Sequence, residues 1–245
     1  MHALLEGEPA LRRRFVDWVL FHVEPRFASV RARFRRAAAQ RNAWLRSGGR
    51  GPAIWNSEYG CALGEIAALR ETLFQELRRA FREIAGQLDV LPGVDPVWRA
   101  GLPAKEDLMA ALERHQDADV TRGFSFLSPS RADFGFVGDG VPWVGSRGQN
   151  KLAGIALQLA ADAVIRRSDA EPAVWLVDDP AAELDRDTEL RVLLAIRAVA
   201  GQMLVASLEQ PPVLPVGSRR EQVFHVKHGV VTPLPPRPAT PQPTS

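Results

Sequence analysis

Two aspartates close the apolar run Val174-Trp175-Leu176-Val177-Asp178-Asp179, and Glu183-Leu184-Asp185 follows shortly after. Upstream, Gly145-Ser146-Arg147-Gly148-Gln149-Asn150-Lys151 leads into Leu152, Ile155, Ala156, Leu157, Leu159 and Ala160 at helical spacing. A carboxylate where a strand leaves the carboxyl edge of an α/β sheet stands where such folds bind ligands. Asp178 is placed there to hold Mg²⁺, directly or through water, beside nucleotide phosphates. Asp179 points the other way and is placed to polarise an attacking water. The competing reading is strand-end capping, since Asp pairs often end strands and begin turns. The dipeptide alone favours capping, and the two flanking segments tip the balance toward chemistry.

Ser146 offers a hydroxyl and a helix N-cap, Gly148 lets backbone approach a ligand, and a helix N-terminus favours anions. Together they suit a γ-phosphate, although a lone S-x-G-Q also describes an ordinary capped helix. Nowhere does G-x-x-x-x-G-K-[ST] occur, so no P-loop is available to wrap the β- and γ-phosphates. The expectation is that this polypeptide alone binds ATP poorly.

The elements that must position these groups alternate in type. Residues 9–47 and 54–88 read as two long helices separated by Ser47-Gly48-Gly49-Arg50-Gly51-Pro52, with a kink at Pro25. Strands are expected at 94–99, 124–127, 133–137, 141–144, 173–177 and 202–206, the fifth buried on both faces. Asp139-Gly140 should make a tight hairpin turn, and a last hairpin should turn at Lys227-His228-Gly229. Helices are expected at 103–117, 147–166 and 186–199. The six tryptophans read as core or turn residues rather than base-stacking platforms.

The chain has 245 residues, 46% of them hydrophobic and 24% charged, which is enough for a sizeable core. Net charge is only +2, but residues 1–51 carry eleven Arg and no Lys against Glu6, Glu8, Asp17 and Glu24. Within that segment Arg31, Arg35 and Arg36, with Arg33 and Arg41 nearby, are candidates for neutralising backbone phosphates. The bland alternative is a solvated helix face whose Arg stems cover apolar neighbours. The lone Cys61 excludes an intrachain disulfide. The five histidines form no metal-ligand spacing, and no apolar run is long enough to span a membrane. A cytoplasmic location is expected.

Five ordered motifs resemble the RecF family. Pro9-Ala10-Leu11-Arg12-Arg13-Arg14-Phe15-Val16-Asp17 resembles P-x-x-R-R-x-F-[LIVM]-D, and Gln40-Arg41-Asn42 resembles Q-R-N. Ser128-Pro129-Ser130-Arg131-Ala132-Asp133 resembles S-P-H-R-x-D, with Ser130 in place of His. Ser146-Arg147-Gly148-Gln149 resembles the signature loop, and Asp178-Asp179 with Glu183-Leu184-Asp185 resembles Walker B and the D-loop. The match covers nearly all of residues 4–232.

The resemblance implies an α/β fold: a partial ABC-type ATPase head (RecF/Rad50/SMC-like) with an appended helical hairpin lobe. The expected division is 1–91 for the lobe, 92–232 for the head and 233–245 for a disordered Pro-rich tail. It further implies an ATP-dependent DNA-binding protein of DNA replication, recombinational repair and the SOS response. Asp178 would ligate Mg²⁺ and Asp179 would take the catalytic position. Ser146, Arg147, Gly148 and Gln149 would contact ATP bound to the opposite subunit, and Glu183 and Asp185 would lie at the dimer interface. Arg31, Arg35 and Arg36 would contact DNA at single-strand/double-strand gaps, with a homodimer and recombination mediators as partners and no membrane. The complete family protein would be a weak ATPase, whereas this chain, without a P-loop, is expected to be inactive alone. A truncated reading frame with Met1 as an internal start, and a degenerate head kept as a non-catalytic binding module, both stay open.

Overall fold

The computed structural model describes residues 2–50, 54–103, 108–208 and 222–234. It divides into two compact units, Met1–Ala173 and Val174–Ser245. The expected lobe boundary near residue 91 falls inside the first unit.

In the first unit a short helix α1 (His2–Glu6) precedes α2 (Pro9–Val23) and α3 (Phe27–Arg46). Pro9 occupies the first turn of α2, where no N–H is needed. The helix stops at Glu24, whose extended backbone is what a following proline enforces. Helix α4 (Ile54–Gln87) runs 34 residues, about 51 Å at the standard rise. Its length lets it pack against α3 and also against α7 (Arg147–Arg166). The main core gathers Val16, Val19 and Leu20 of α2, Leu73, Phe74, Leu77 and Phe81 of α4, and Ala153, Ala156, Leu157 and Ala160 of α7. Phe134 joins them from an antiparallel sheet of β1 (Val94–Arg99), β2 (Asp133–Gly138) and β3 (Val141–Pro142). A smaller core joins Ala37, Tyr59, Leu63, Ala111, Leu112 and Leu127.

The hairpin turn falls on Asp139 and Gly140, both at positive φ, as a two-residue loop requires. β3 ends at Pro142, earlier than expected, although Trp143 N–H still donates to the Phe136 carbonyl at 2.9 Å. The helix expected over 103–117 is instead α5 (Leu108–Arg114) and α6 (Gln116–Arg122); residues 104–107 lie outside the described residues.

Residues 124–127 do not form the expected strand. Side chains take up their backbone groups instead. Asn42 Oδ1 accepts from Ser125 N–H, Asp119 Oδ1 accepts from Phe126 N–H, and Tyr59 O–H donates to the Leu127 carbonyl. Once those donors and acceptors are satisfied, a ladder partner is not required.

The second unit holds the parallel pair β4 (Val174–Asp178) and β5 (Gln202–Ala206), helix α8 (Arg186–Val199) and the hairpin β6 (Phe224–Lys227) with β7 (Val230–Pro233). That hairpin turns through His228 and Gly229, both at positive φ. β4 is not buried on both faces: Trp175 and Val177 are buried, while Val174 is 59% and Leu176 72% exposed. Among the described residues it pairs only with β5, which leaves its other edge unpaired, and the face carrying Val174 and Leu176 stays uncovered. The tail expected over 233–245 lies, from residue 235, outside the described residues.

Candidate functional site

The signature loop belongs to the first unit. Ser146 has extended backbone and caps α7 reciprocally with Gln149. Gln149 N–H donates to Ser146 Oγ at 3.3 Å, and Ser146 N–H donates to Gln149 Oε1 at 2.8 Å. This capping box uses Ser146 Oγ as an acceptor and leaves its O–H to donate outward. Ser146 and Arg147 are exposed at the start of a 20-residue helix, so the free N–H groups and the hydroxyl converge where an anion would sit. Asn150 Nδ2 donates to Glu6 Oε1 at 3.0 Å, linking this loop to α1. Gly145 has its own reason to be small: a Cβ there would collide with the Trp143 ring.

The acidic residues belong to the second unit. Asp178 closes β4 opposite Ala206 and is exposed. Mg²⁺ keeps several waters and uses one or two carboxylates plus substrate phosphates, so a single exposed carboxylate at a strand end fits it. Asp179 N–H donates to the Ala206 carbonyl at 2.8 Å, extending the ladder by one bond. Its φ of +44° turns the chain sharply away from the sheet, and Glu183 at φ +69° makes a second such turn. Non-glycine residues at positive φ are uncommon and concentrate at functional sites. Asp185 caps α8: Oδ1 accepts from the N–H groups of Asp187 and Thr188, and Oδ2 from the Thr188 hydroxyl. These bonds from Thr188 hold its carboxyl below the usual range. Asp178 and Asp179 also end a strand and begin a turn, as the capping alternative expects, while Asp185 is a helix N-cap.

Arg31, Arg35 and Arg36 all lie exposed on α3, and no ion pair engages them among the described residues. Their two neighbours are otherwise occupied. Arg33 pairs with Glu58 at 3.1 Å and Glu65 at 2.5 Å. Arg41 is fully buried and cannot reach a phosphate. Its guanidinium donates to Asn56 Oδ1, Asp119 Oδ2 and Ser125 Oγ, and its centre lies 5.2 Å from the Tyr59 ring. The Q-R-N segment is therefore the centre of an internal polar cluster.

The two remaining motifs meet in space. Arg12 grips Asp133 with two bonds of 2.7 and 2.9 Å, and Arg13 Nη1 donates to the Ala132 carbonyl. Asp17 receives a matching pair from Arg70, which also donates to the Pro129 carbonyl. Burial pushes the Asp133 carboxyl up, but the bonds from Arg12 outweigh it and the net direction is down. Sequence alone shows these acids and arginines but not their pairing, which spans 121 residues for Arg12 and Asp133.

Trp18 departs from the core assignment. It is 53% exposed, with Phe21 beside it at 64%. Helical geometry explains this: Val16, Val19 and Leu20 face the core, and residues 14, 18 and 21 lie on the opposite side.

No family model matches the chain. RecF, the DNA replication and repair protein, of Pseudomonas aeruginosa strain UCBPP-PA14 is 35% identical over 237 residues, covering 94% of this chain. That of Marinobacter nauticus is 33% identical over 243 residues, and that of Stenotrophomonas maltophilia 34% over 244. The chain spans 64% of the length of the first two relatives and 66% of the third. A solved structure of the recombination mediator protein RecF-ATPrS in the RecFOR pathway superposes with a TM-score of 0.75 at 17% identity, over 95% of this chain and 65% of that one. A RecF-ATP structure gives 0.72 at 18% identity, over 93% and 63%. The fold is therefore that of part of the ABC-type RecF head with its helical part, as the motifs implied.

Proposed function

This chain is a relative of RecF, fitting the C-terminal portion of that protein, and we propose that it acts in DNA replication and repair as an ATP-responsive DNA-binding head component. The observation that carries the reading is the signature lip, a reciprocally capped and exposed helix start with one hydroxyl proton free to donate. Ser146, Arg147, Gly148 and Gln149 meet the γ-phosphate of ATP held by the P-loop of a second head. Asp178 holds Mg²⁺ beside that nucleotide class, and Asp179 orients water. Bound Mg²⁺ would neutralise charge building on the phosphates. Glu183 and Asp185 line the head–head contact, which in the complete protein is a homodimer interface. The segment 1–91 serves the DNA and 92–232 the nucleotide, in the cytoplasm, at gap structures and with recombination mediators, including during the SOS response.

A second reading is a non-catalytic head that docks to DNA or a repair partner, for which the exposed Arg31, Arg35 and Arg36, unpaired among the described residues, would serve without nucleotide. The two part in a mixing experiment with a complete, P-loop-bearing RecF relative. ATP-dependent co-elution of this chain with that relative, lost in Ser146→Arg, supports the signature role. Equal co-elution without nucleotide favours the docking module.

A further inference from the structure

We propose that the outer face of α2, built from Arg14, Trp18 and Phe21 with His22 alongside, is a stacking platform for unpaired bases of single-stranded DNA. The inference rests on the DNA-binding reading above and adds a surface that its arginines do not include. Soluble proteins rarely leave large aromatic side chains clustered in water without a partner. Here Trp18 and Phe21 sit one helical turn apart on the side of α2 away from the core, with Arg14 one turn before Trp18. The rings are arranged together. His22 lies 4.8 Å from Trp18 and 5.8 Å from Phe21. Its Nδ1–H donates to the Trp18 carbonyl at 2.8 Å, which fixes the imidazole against its neighbour.

Charge decides the occupant. An apolar protein helix would suit the rings alone, but this segment holds eleven arginines against four acids. Asp17 and Glu24 are ion-paired, with Arg70 and Arg26, and among the arginines Arg12, Arg26, Arg33 and Arg41 are ion-paired as well. Arg14, like Arg31, Arg35 and Arg36, has no ion-pair partner among the described residues. Exposed rings with the unpaired Arg14 one turn away, and further unpaired arginines on α3, match a strand that offers phosphates and free base faces. Duplex DNA offers only the phosphates, since its bases are stacked on one another.

The test measures binding of the full chain to a labelled deoxythymidine oligonucleotide and to a duplex of equal length, across a salt series. Trp18→Ala and Phe21→Ala should each weaken single-strand binding about tenfold or more, with duplex affinity and salt slope unchanged. Trp18→Phe, which keeps a ring, should retain most of the single-strand affinity. Arg31→Ala/Arg35→Ala should weaken both substrates and flatten the salt slope. Wild-type single-strand affinity in both alanine variants, with circular dichroism unchanged, would overturn the platform and leave the arginine reading standing. Variants that lose a protein partner while keeping the single strand would overturn it too. Failure of the wild-type chain to bind either substrate would defeat both readings.

Discussion

Replacing Arg41 by methionine should cost about 3–5 kcal/mol, the range for removing one partner of a buried ion pair. Both Arg41 and Asp119 have fully buried side chains, and their bond is 3.0 Å. Without the guanidinium, Asp119 would keep only the Phe126 N–H and the half-exposed Arg122, 3.7 Å away. Asn56 and Ser125 would each lose a charged partner as well. Domains hold about 5–15 kcal/mol in total, so the variant should stand near the edge of stability. With a urea slope of about 3 kcal/mol per molar, the unfolding midpoint should fall by about 1 M or more. The double variant Arg41→Met/Asp119→Leu should recover much of the loss, because the stranded charge is gone. Urea titration followed by far-ultraviolet dichroism reads both. A shift below about 0.3 M in Arg41→Met, at that same slope, would refute the claim that this pair organises the α3–α4–α6 junction.

Other consequences follow from particular contacts. Gly101→Ala should lose about 1–3 kcal/mol, since Gly101 sits at φ +68° and a Cβ would collide with the Arg131 carbonyl group; a thermal midpoint measures it. Asp95 and Asp133 are pushed up by burial, but arginine bonds bring both net below the ordinary carboxylate range. Depressed folded values stabilise above the unfolded value of about 3.9 and lose that contribution as pH falls through the folded ones. Stability should therefore drop below about pH 4, less steeply in Asp133→Asn, as an acid titration would show. Ser146→Asp should keep the α7 cap and thermal stability while abolishing ATP-dependent association through charge repulsion, whereas Ser146→Ala should lose about 1 kcal/mol of stability.

Local chemistry explains what could be read from the residues. Pro25, the Asp139-Gly140 turn and the capped start at Ser146 each act through backbone geometry within a few positions, and each stands where expected. Contacts between distant segments override local pattern elsewhere. Residues 124–127 have strand-like composition, but Asn42, Tyr59 and Asp119 claim their backbone groups. The run 174–177 is apolar throughout, yet only Trp175 and Val177 are buried while Val174 and Leu176 face outward, exposed. An arginine run reads alike whether a member is free like Arg35 or internal like Arg41; only the partner at Asp119, 78 positions away, separates them. Trp18 was hidden because the apolar residues of α2 circle the helix, and only packing shows which side the core takes.

The central claim is that this chain supplies the signature and acidic surfaces of a nucleotide site without the loop that cradles phosphates. Its most direct test is ATP turnover by the purified 245-residue chain, with and without gapped DNA. The purified chain should show none above background. Steady hydrolysis that Asp178→Ala abolishes would contradict it.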